Sequence, residues 1–335
     1  METPPPRWVR RFFVTPLVFL GALGLALASP LLHLVAAVLD LIFDRRRWRL
    51  SRFVGVGLAF CVVEVFGLFT LLTVWLGSGF GIWIRRPFWN RANTVLAGQY
   101  LELITRAIRF FLRFDFSYTY ESIPRGRQLM FARHAGPGDA YLIARVVVRD
   151  AGRRIHMVGA AKLQWDPFLD IAGERLGFHY LSQSPNDGVA EMENIRRLAA
   201  GLDEDETLVI FPEGANFTIG RNERQIESLT ARGRTELADR AKRLEHTLLP
   251  RPGGVIAAIE GASDAVVLIV SHAGLDGLQG FGDLWAAIPL ERKVMAHSWT
   301  VMPAERPEGH DELADWLFSE WVKVDDWIDG QQSIA

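Results

Sequence analysis

Two long apolar runs near the start of the chain set the strongest constraint on its fold. No charged residue occurs from Phe12 to Leu39, and Glu64 is the single charged residue from Val54 to Ile84. A membrane helix needs about 20 consecutive apolar residues, so each run is long enough for one. The sequence therefore predicts a membrane-embedded helical region at residues 1–90, a larger domain at residues 91–330 and a short tail at residues 331–335.

Arginine clusters flank the two runs, at positions 7, 10 and 11, at positions 45, 46, 47, 49 and 52, and at positions 85, 86 and 91. The positive-inside rule places all three clusters on the cytoplasmic face. Two straight crossings would put the middle cluster outside, and an out-and-back passage between Phe12 and Leu39 is too short, because two spans need about 40 residues. A shallow re-entrant hairpin bent near Ser29 and Pro30 satisfies both constraints, since proline interrupts a helix. We therefore expect a protein of the inner or plasma membrane, with its larger domain on the cytoplasmic face.

A cleaved signal peptide is the alternative for the first run. Arg7, Arg10 and Arg11 precede an apolar stretch that ends in the small-residue pattern Ala26-Leu27-Ala28. The apolar run continues to Leu39 and a second run follows, which favours a retained membrane region.

Composition and motifs exclude several classes of function. The net charge of -2 gives no general basicity for nucleic acid. The single cysteine, Cys61, lies in the second apolar run, which rules out an intramolecular disulfide and a cysteine nucleophile outside the membrane. No metal-ligand spacing, Walker loop or G-x-G-x-x-G occurs, so we predict no metal and no nucleotide cofactor. Glu64 would be costly facing lipid, so we expect a structural carboxyl that faces another helix or water.

After residue 114 the chain alternates between strand and helix patterns, which predicts an α/β fold with a mixed, largely buried sheet flanked by helices. Residues 93–113 precede this part and are predicted to form a surface-lying amphipathic helix. Strands are predicted at Gln128–Ala132, Ile155–Ala160, Phe178–Leu181, Thr207–Phe211, Ala265–Val270 and Val294–Val301. Helices are predicted at Ala140–Arg149, Pro167–Arg175, Gly188–Ala200, Ile226–Leu244 and Glu312–Ile328.

Two histidines are each followed by an aspartate at the fifth position, His134 by Asp139 and His310 by Asp315. The second pair lies in a helical pattern, where residues five apart do not share a face. The first pair encloses Gly136-Pro137-Gly138, which excludes a regular helix and favours a tight turn. Such a turn can bring the carboxylate to one ring nitrogen and leave the other free to take a proton. A structural histidine in a glycine-rich loop is an equally good interpretation of these residues alone.

A second candidate site segment follows the predicted strand that ends at Phe211. Pro212 stops the strand, and Glu213 and Gly214 come next. Ligands of α/β proteins bind at the carboxyl ends of strands, so Glu213 is a candidate site residue. A plain turn is the alternative.

Four blocks occur in the order that characterises one enzyme family. They are His134 with Asp139, the segment from Lys162 to Gln183 with Leu176-Gly177-Phe178-His179-Tyr180-Leu181-Ser182, then Phe211-Pro212-Glu213-Gly214, then Leu248-Leu249-Pro250-Arg251. Together they resemble the motifs of the glycerophospholipid acyltransferases, the 1-acylglycerol-3-phosphate acyltransferase family. The resemblance covers roughly residues 90–330.

The resemblance implies transfer of a fatty acyl group from acyl-CoA or acyl carrier protein to the free hydroxyl of a lysophospholipid at a bilayer. The expected acceptor is 1-acylglycerol-3-phosphate, giving phosphatidic acid, with His134 as general base and Asp139 as its orienting partner. Substrate-binding roles are implied for Glu213, Gly214, Asn216, Lys162, Arg251 and Arg221. No further cofactor is implied. The alternatives are a lysophosphodiester or another lipid alcohol as acceptor, or an inactive lipid-binding member of the same fold.

The sequence departs from the family pattern at two positions associated with the acceptor phosphate. Asn216 stands where the third block usually carries arginine, and Gln183 stands near the position where the second block usually carries arginine. Neither amide supplies a positive charge, whereas the fork of arginine bonds phosphate bidentately. Arg221, Arg224 and Arg251 are the nearby replacements.

An activated thioester needs a base and an oxyanion stabiliser but no covalent nucleophile. The backbone N–H groups of Gly136, Gly138 and Gly214 are the candidate oxyanion donors.

Overall fold

The computed structural model describes residues 4–120, 125–136, 138–181, 188–278 and 280–332. A seven-stranded sheet of order β1-β7-β6-β2-β5-β3-β4 forms its centre. The strands are β1 Asp115–Tyr120, β2 Gln128–Ala132, β3 Arg154–Ala160, β4 His179–Leu181, β5 Glu206–Ile210, β6 Val266–Ala273 and β7 Lys293–Val301. All neighbouring strands are parallel except β6 and β7, which pair antiparallel. The predicted mixed α/β fold is therefore confirmed.

Twelve helices of seven or more residues occur in the described ranges. Four precede the sheet: α1 Arg7–Leu27, which includes a π-helical turn at Arg10–Val14, α2 Ser29–Phe43, α3 Arg49–Gly77 and α4 Pro87–Leu112. The others are α5 Asp139–Arg145, extended by a π-helical turn at Val146–Asp150, α6 Pro167–Leu176, α7 Gly188–Ala200, α8 Ile219–Ala231, α9 Thr235–Lys242, α10 Pro252–Gly261, α11 Phe281–Ala287 and α12 His310–Gln332.

Alternate side chains of the central strands enter two different apolar cores. On one face, strand residues such as Phe131 and Leu208 pack against α7, α10 and α12, with the fully buried Trp321. On the other face, residues such as Met130 and Val209 pack against α4 and α5. Strands that are buried on both faces read as continuous apolar runs, which explains why the central strands were visible in the sequence.

Two of the N-terminal helices, Arg7–Leu27 and Arg49–Gly77, are long and apolar enough to cross a membrane. The predicted hairpin near Ser29 and Pro30 is wrong. Helical bonds run through that point, from Ala28 N to Gly24 O and from Leu32 N to Ala28 O. Proline lies in the first turn of α2, where its missing N–H is tolerated. The chain reverses instead at residues 44–48, so α1 and α2 together run along α3.

Helix α3 contacts the α/β domain along much of its length. Phe53 near its start packs on Trp285, with ring centroids 6.1 Å apart. Glu64, near its middle, is buried and accepts hydrogen bonds from Tyr100 Oη at 2.8 Å and Phe168 N at 3.1 Å. The expectation of a structural carboxyl facing another helix therefore agrees with its contacts.

Helix α4 is not the surface-lying connector that the sequence predicted. One face of it is buried, because it packs between α3 and the sheet through residues such as Ala97, Tyr100 and Leu101. The predicted amphipathic pattern is present, but its apolar face packs against α3 and the sheet.

Four further elements differ from prediction. The single helix expected at Ile226–Leu244 is divided into α8 and α9, because Gly233 adopts a left-handed conformation with φ of 70°. Helices α10 and α11 were not predicted. Strand β1 was not predicted either, although its aromatic residues Phe116 and Tyr118 alternate with polar residues. That alternation is a strand signal that the sequence did contain.

Candidate active site

His134 and Asp139 meet at the carboxyl end of β2. The Nδ1 atom of His134 lies 2.9 Å from Oδ2 of Asp139, which also accepts hydrogen bonds from Ala135 N at 2.7 Å and Gly136 N at 3.0 Å. The other oxygen, Oδ1, accepts from Ala140 N at 2.7 Å. The turn therefore wraps its backbone around the carboxylate.

The two side chains of this pair differ in their exposure to solvent. Asp139 is 1% exposed, whereas the imidazole of His134 retains 26% of its accessible surface. Burial alone would raise the pKa of Asp139, but the hydrogen bond and charge of His134, the charge of His272 and the N–H of Gly136 hold it below its ordinary value. The ionised carboxylate fixes a proton on Nδ1 and leaves Nε2 of His134 as an acceptor.

Glu213 supports this loop from inside the protein. It is fully buried, and its two carboxylate oxygens accept from His134 N at 2.9 Å and from Leu248 N at 2.8 Å. Burial raises the pKa of Glu213 to about 7. The N–H of Leu248, the charge of Arg133, and the N–H and ring charge of His134 lower this pKa, but they do not outweigh burial. This carboxyl contacts protein backbone on both oxygens, so it positions the His134 loop against the loop at Leu248.

Two residues that the sequence did not single out complete the support of the dyad. Arg133 is fully buried, donates from Nη1 to His272 O at 2.6 Å, and pairs through Nη2 with Asp276 Oδ1 at 2.5 Å. Its Nη2 also donates to His246 O at 2.7 Å. Burial raises the pKa of Asp276, but the Arg133 guanidinium outweighs it and the pKa lies below its usual range. An ion pair between the buried Arg133 and the partly buried Asp276 thus joins the ends of β2 and β6.

His272 is the second of these residues, and it lies beside Asp139. Its Nε2 is 3.1 Å from Arg133 O and 3.7 Å from Asp139 Oδ2. Because a carbonyl oxygen only accepts, Nε2 carries the proton. Burial lowers the pKa of His272, although the charge of Asp139 opposes this.

The basic side chains named from the sequence lie along the segment that follows β5. Arg221 donates from Nη1 to Asn216 O at 2.8 Å and also to the Oδ1 atom of Asn216. The guanidinium of Arg251 lies against Gly214, where an added Cβ would be 3.3 Å from its Cζ. Arg251 is exposed and makes no side-chain ion pair within the described ranges. Each of the two arginines therefore contacts one residue of the third motif block.

The remaining predicted site residues are less constrained. Lys162 is exposed just beyond β3 and has no ion pair among the residues described, and Arg224 is exposed on α8. Gln183, one of the two departures from the family pattern, lies outside the described residues.

The predicted oxyanion donors divide into two kinds. The N–H of Gly136 is engaged by Asp139, and that of Gly214 donates to Phe211 O at 3.0 Å. In the part of the chain that the structure describes, the N–H of Gly138 has no acceptor. Gly138 is therefore the one of these three whose donor is available.

An apolar cavity of about 470 Å³ opens beside the His134 loop. This volume lies within the ~300–1,000 Å³ typical of ligand pockets. Its walls come from α3, α4, the start of α5 and the segment after β6, and it reaches Gly136 and Gly138. The lining includes Val56, Phe60, Ile104, Ile108, Tyr141, Leu142, Leu275, Phe281 and Leu284. The cavity thus connects the N-terminal helices with the His134 loop.

Comparison with known proteins agrees with this geometry. Residues 116–271 match the family model described as Acyltransferase, and this range contains His134, Asp139 and Glu213. An uncharacterized acyltransferase of Schizosaccharomyces pombe (strain 972 / ATCC 24843) is 22% identical over 223 residues, which cover 62% of this chain. The same match covers 61% of the yeast protein, so this chain spans less than two thirds of the length of that relative. No solved structure matches the chain. Residues 116–271 are therefore similar to the acyltransferase family, and the motif blocks and the geometry at His134 support that similarity.

Proposed function

We propose that this protein transfers a fatty acyl group from acyl-CoA or acyl carrier protein to the free hydroxyl of a lysophospholipid. The observation that carries the proposal is the His134–Asp139 pair, with its carboxylate buried and its imidazole partly exposed, in a loop whose Gly136 and Gly138 line an apolar cavity. A partly exposed imidazole base in a loop beside space for a lipid chain is what direct attack by a lipid alcohol requires.

The chemical step balances with these groups alone. Nε2 of His134 takes the proton of the acceptor hydroxyl while the oxygen bonds to the thioester carbonyl carbon. The C–S bond then breaks, and the leaving thiolate takes the proton back from the imidazolium. Asp139 stabilises the imidazolium without accepting its proton, because its carboxylate is held ionised. The N–H of Gly138 is the available donor for the carbonyl oxygen as negative charge develops there.

The acceptor phosphate is assigned to Arg221 and Arg251. The family arginine is replaced by Asn216, but Arg221 is tethered to that asparagine and Arg251 contacts Gly214 two residues earlier. Two guanidiniums along one segment supply the charge that a phosphate monoester needs. We therefore propose 1-acylglycerol-3-phosphate as the acceptor and phosphatidic acid as the product.

The direct test is incubation of the purified full-length protein with radiolabelled acyl-CoA, or acyl carrier protein carrying the same chain, and a panel of lysolipids. We expect labelled phosphatidic acid from lysophosphatidate, and none from a folded His134→Ala variant. A folded wild-type protein that transfers no label from either donor to any lysolipid would contradict the proposal.

The acceptor assignment has its own measurement, the ratio of kcat/KM for lysophosphatidate to that for lysophosphatidylglycerol. Arg251→Gln and Arg221→Gln should each lower this ratio by about tenfold, since a hydrogen bond to a charged group contributes roughly 1.5–3 kcal/mol. Arg224→Gln is the matched control on the exposed face of α8. A wild-type ratio below one that Asn216→Arg inverts would instead establish a diester acceptor, and a ratio indifferent to all four substitutions would reject this site.

We also propose that the N-terminal helices rest in the membrane with the catalytic domain on the same, cytoplasmic, side. Helix α3 touches the domain at Phe53 and again at Glu64, which favours a helix pair lying against the domain over one that leads away from it. In a variant free of Cys61, single cysteines introduced at residues 3 and 330 should show the same sidedness to an impermeant label. Labelling of one position and protection of the other in sealed cells would reject this arrangement.

A further inference from the structure

A second cavity lies near the same end of α3 and α4, on another face of α4. It has a volume of about 410 Å³ and is bounded by α2, the turn before α3, the start of α3 and the end of α4. No residue lines both this cavity and the one at the catalytic loop. Helix α4 separates them, since Ile108 and Leu112 line the first whereas Phe110 and Phe111 line the second.

Two arginines line this second cavity. Arg52 is held in place because its Nε donates to Arg47 O at 3.0 Å and its Nη1 donates to Phe111 O at 2.9 Å. Arg113 is paired with Glu291, at 2.9 Å between Nη1 and Oε1. The charges of Arg52 and Arg113 are close enough to repel each other. Two positive charges in one lining attract an anion, although the carboxylates of Glu291 and Asp40 offset part of that charge.

Two other lining residues also carry hydrogen-bond donors that an anion can use. The hydroxyl of Ser51 is buried and has no hydrogen-bond partner among the described residues, and the imidazole of His33 lies in the same wall. The buried carboxylate of Asp40 does not oppose an anion freely, because its oxygens accept from Leu50 N at 3.2 Å and Ser51 N at 2.6 Å. Hydroxyl, imidazole and guanidinium donors therefore share one cavity.

The apolar part of the lining distinguishes a lipid from a free anion. Trp48 and the two phenylalanines of α4 form much of the wall, and Phe110 is 76% exposed. The neighbouring surface of α2 is also apolar and exposed, at Leu34, Val38, Leu41, Ile42 and Phe43. Aromatic rings beside arginines are typical of the headgroup level of a bilayer. A free phosphate ion would leave this apolar surface in water, whereas a phospholipid covers it.

We propose that this cavity binds the phosphate group of an anionic phospholipid of the bilayer, separately from the acyl-transfer site. Arg52 and Arg113 contact the phosphate oxygens, Ser51 donates its hydroxyl, and Trp48, Phe110 and Phe111 pack on the glycerol and upper acyl chains. The site anchors the turn end of the helix pair to anionic lipid. It requires no acyl transfer, so its test is independent of the proposed function.

The test uses the full-length protein purified in a neutral detergent and titrated with short-chain phosphatidylglycerol or short-chain phosphatidylcholine. A ligand that binds the folded protein raises the melting temperature, so the shift gives an apparent Kd. We expect tighter binding of phosphatidylglycerol. Arg113→Gln should weaken that binding by about tenfold, because a charge-assisted hydrogen bond is lost.

Arg109→Gln is the matched control. Arg109 lies one turn earlier on α4, is similarly exposed and is paired with a single acid, Asp115, but it does not line the cavity. Its substitution should leave phosphatidylglycerol binding unchanged. Ser51→Ala, which removes only the unpartnered hydroxyl, should weaken binding less than Arg113→Gln, and it serves as the second variant if Arg113→Gln does not fold.

Three outcomes would overturn the proposal. Equal shifts with the two lipids would show that the phosphate charge is not recognised. Equal weakening by Arg109→Gln and Arg113→Gln would show a general charge effect with no cavity. Competition by inorganic phosphate at the same concentration as the lipid would show a free-anion site.

Discussion

The two His-x4-Asp segments of this protein have the same spacing and opposite structures. At the first, His134 Nδ1 lies 2.9 Å from a carboxylate that is 1% exposed. At the second, His310 begins helix α12 and is 67% exposed, with its nearest carboxylate partner Asp311 at 3.6 Å. Asp315 lies one turn on and pairs with Arg240 at 2.6 Å.

The difference shows that backbone conformation, and not residue spacing, creates the dyad. In α12 the backbone N–H groups bond to the helix itself, so Asp315 is left to a surface partner. In the turn after β2, the N–H groups of Ala135 and Gly136 are free of helical bonds and converge on Asp139. Those bonds place the carboxylate where the imidazole can reach it.

Removing the two histidines tests the comparison with the largest expected effect. His134→Ala should lower kcat by about 100- to 10,000-fold, the range for loss of a general base. His310→Ala should leave it unchanged. Turnover is measured with the best lysolipid acceptor, and a thermal melt shows that both variants are folded. Near-normal turnover of His134→Ala would reject the dyad as the catalytic base.

The two aspartates give the next comparison. Asp139→Asn should reduce kcat on the order of a thousandfold, because an amide cannot hold the Nδ1 proton in the required tautomer. It should also cost about 1–3 kcal/mol of stability, since buried N–H groups lose acceptors. Asp315→Asn removes an exposed ion pair, which contributes about 0–1 kcal/mol. Equal effects of the two substitutions on the unfolding free energy and on kcat would contradict this account.

The pH dependence of stability separates the two buried carboxyls of the site. The pKa of Glu213 is raised to about 7, so its favourable contribution is complete below its unfolded value near 4.3 and is lost as pH rises to about 7. The loss amounts to roughly 3.7 kcal/mol at most, at 1.36 kcal/mol for each pKa unit. Asp139 has the opposite sign, because its pKa is lowered and its contribution is lost only in acid.

The measurement is the unfolding free energy of the wild type and of Glu213→Gln at several values between pH 4.5 and pH 7.5. The wild type should lose stability relative to the variant as pH rises through this interval. Parallel curves would show that Glu213 does not titrate there.

Glycine substitutions give the smallest expected effect and test what shapes the turn. Gly138 has φ of -95°, and no atom lies within 4 Å of an added Cβ. Gly138→Ala should therefore change stability by less than about 1 kcal/mol. Gly214→Ala should cost about 1–2 kcal/mol, because Gly214 has φ of 69° and Arg251 is close. A large loss in Gly138→Ala would mean that glycine, and not the bonds to Asp139, determines the turn.

Much of the fold was predictable because its signals are local. The strand Gln128–Ala132 was predicted with its observed bounds, since a short apolar run before a glycine-rich turn carries its own limits. The helix at Ile226–Leu244 was predicted as one piece because its apolar period continues across Gly233, and the left-handed break there is not visible in the period. The reversal at residues 44–48 is not predicted from the sequence, because Pro30 is the stronger helix-breaking signal in this region.

The sequence alone determined the encounter of His134 with Asp139, because both residues and the turn that joins them lie within six consecutive positions. Only the tertiary structure decided what surrounds them. His272 and Asp276 reach the site because β6 pairs beside β2, and Glu213 reaches it because β5 pairs on the other side of β2. Arg251 reaches Gly214 through the bond from its N–H to Pro212 O at 2.8 Å. A turn is specified by the bonds of adjacent residues, whereas the order of strands is specified by the packing of both faces of the whole sheet, which no local segment records.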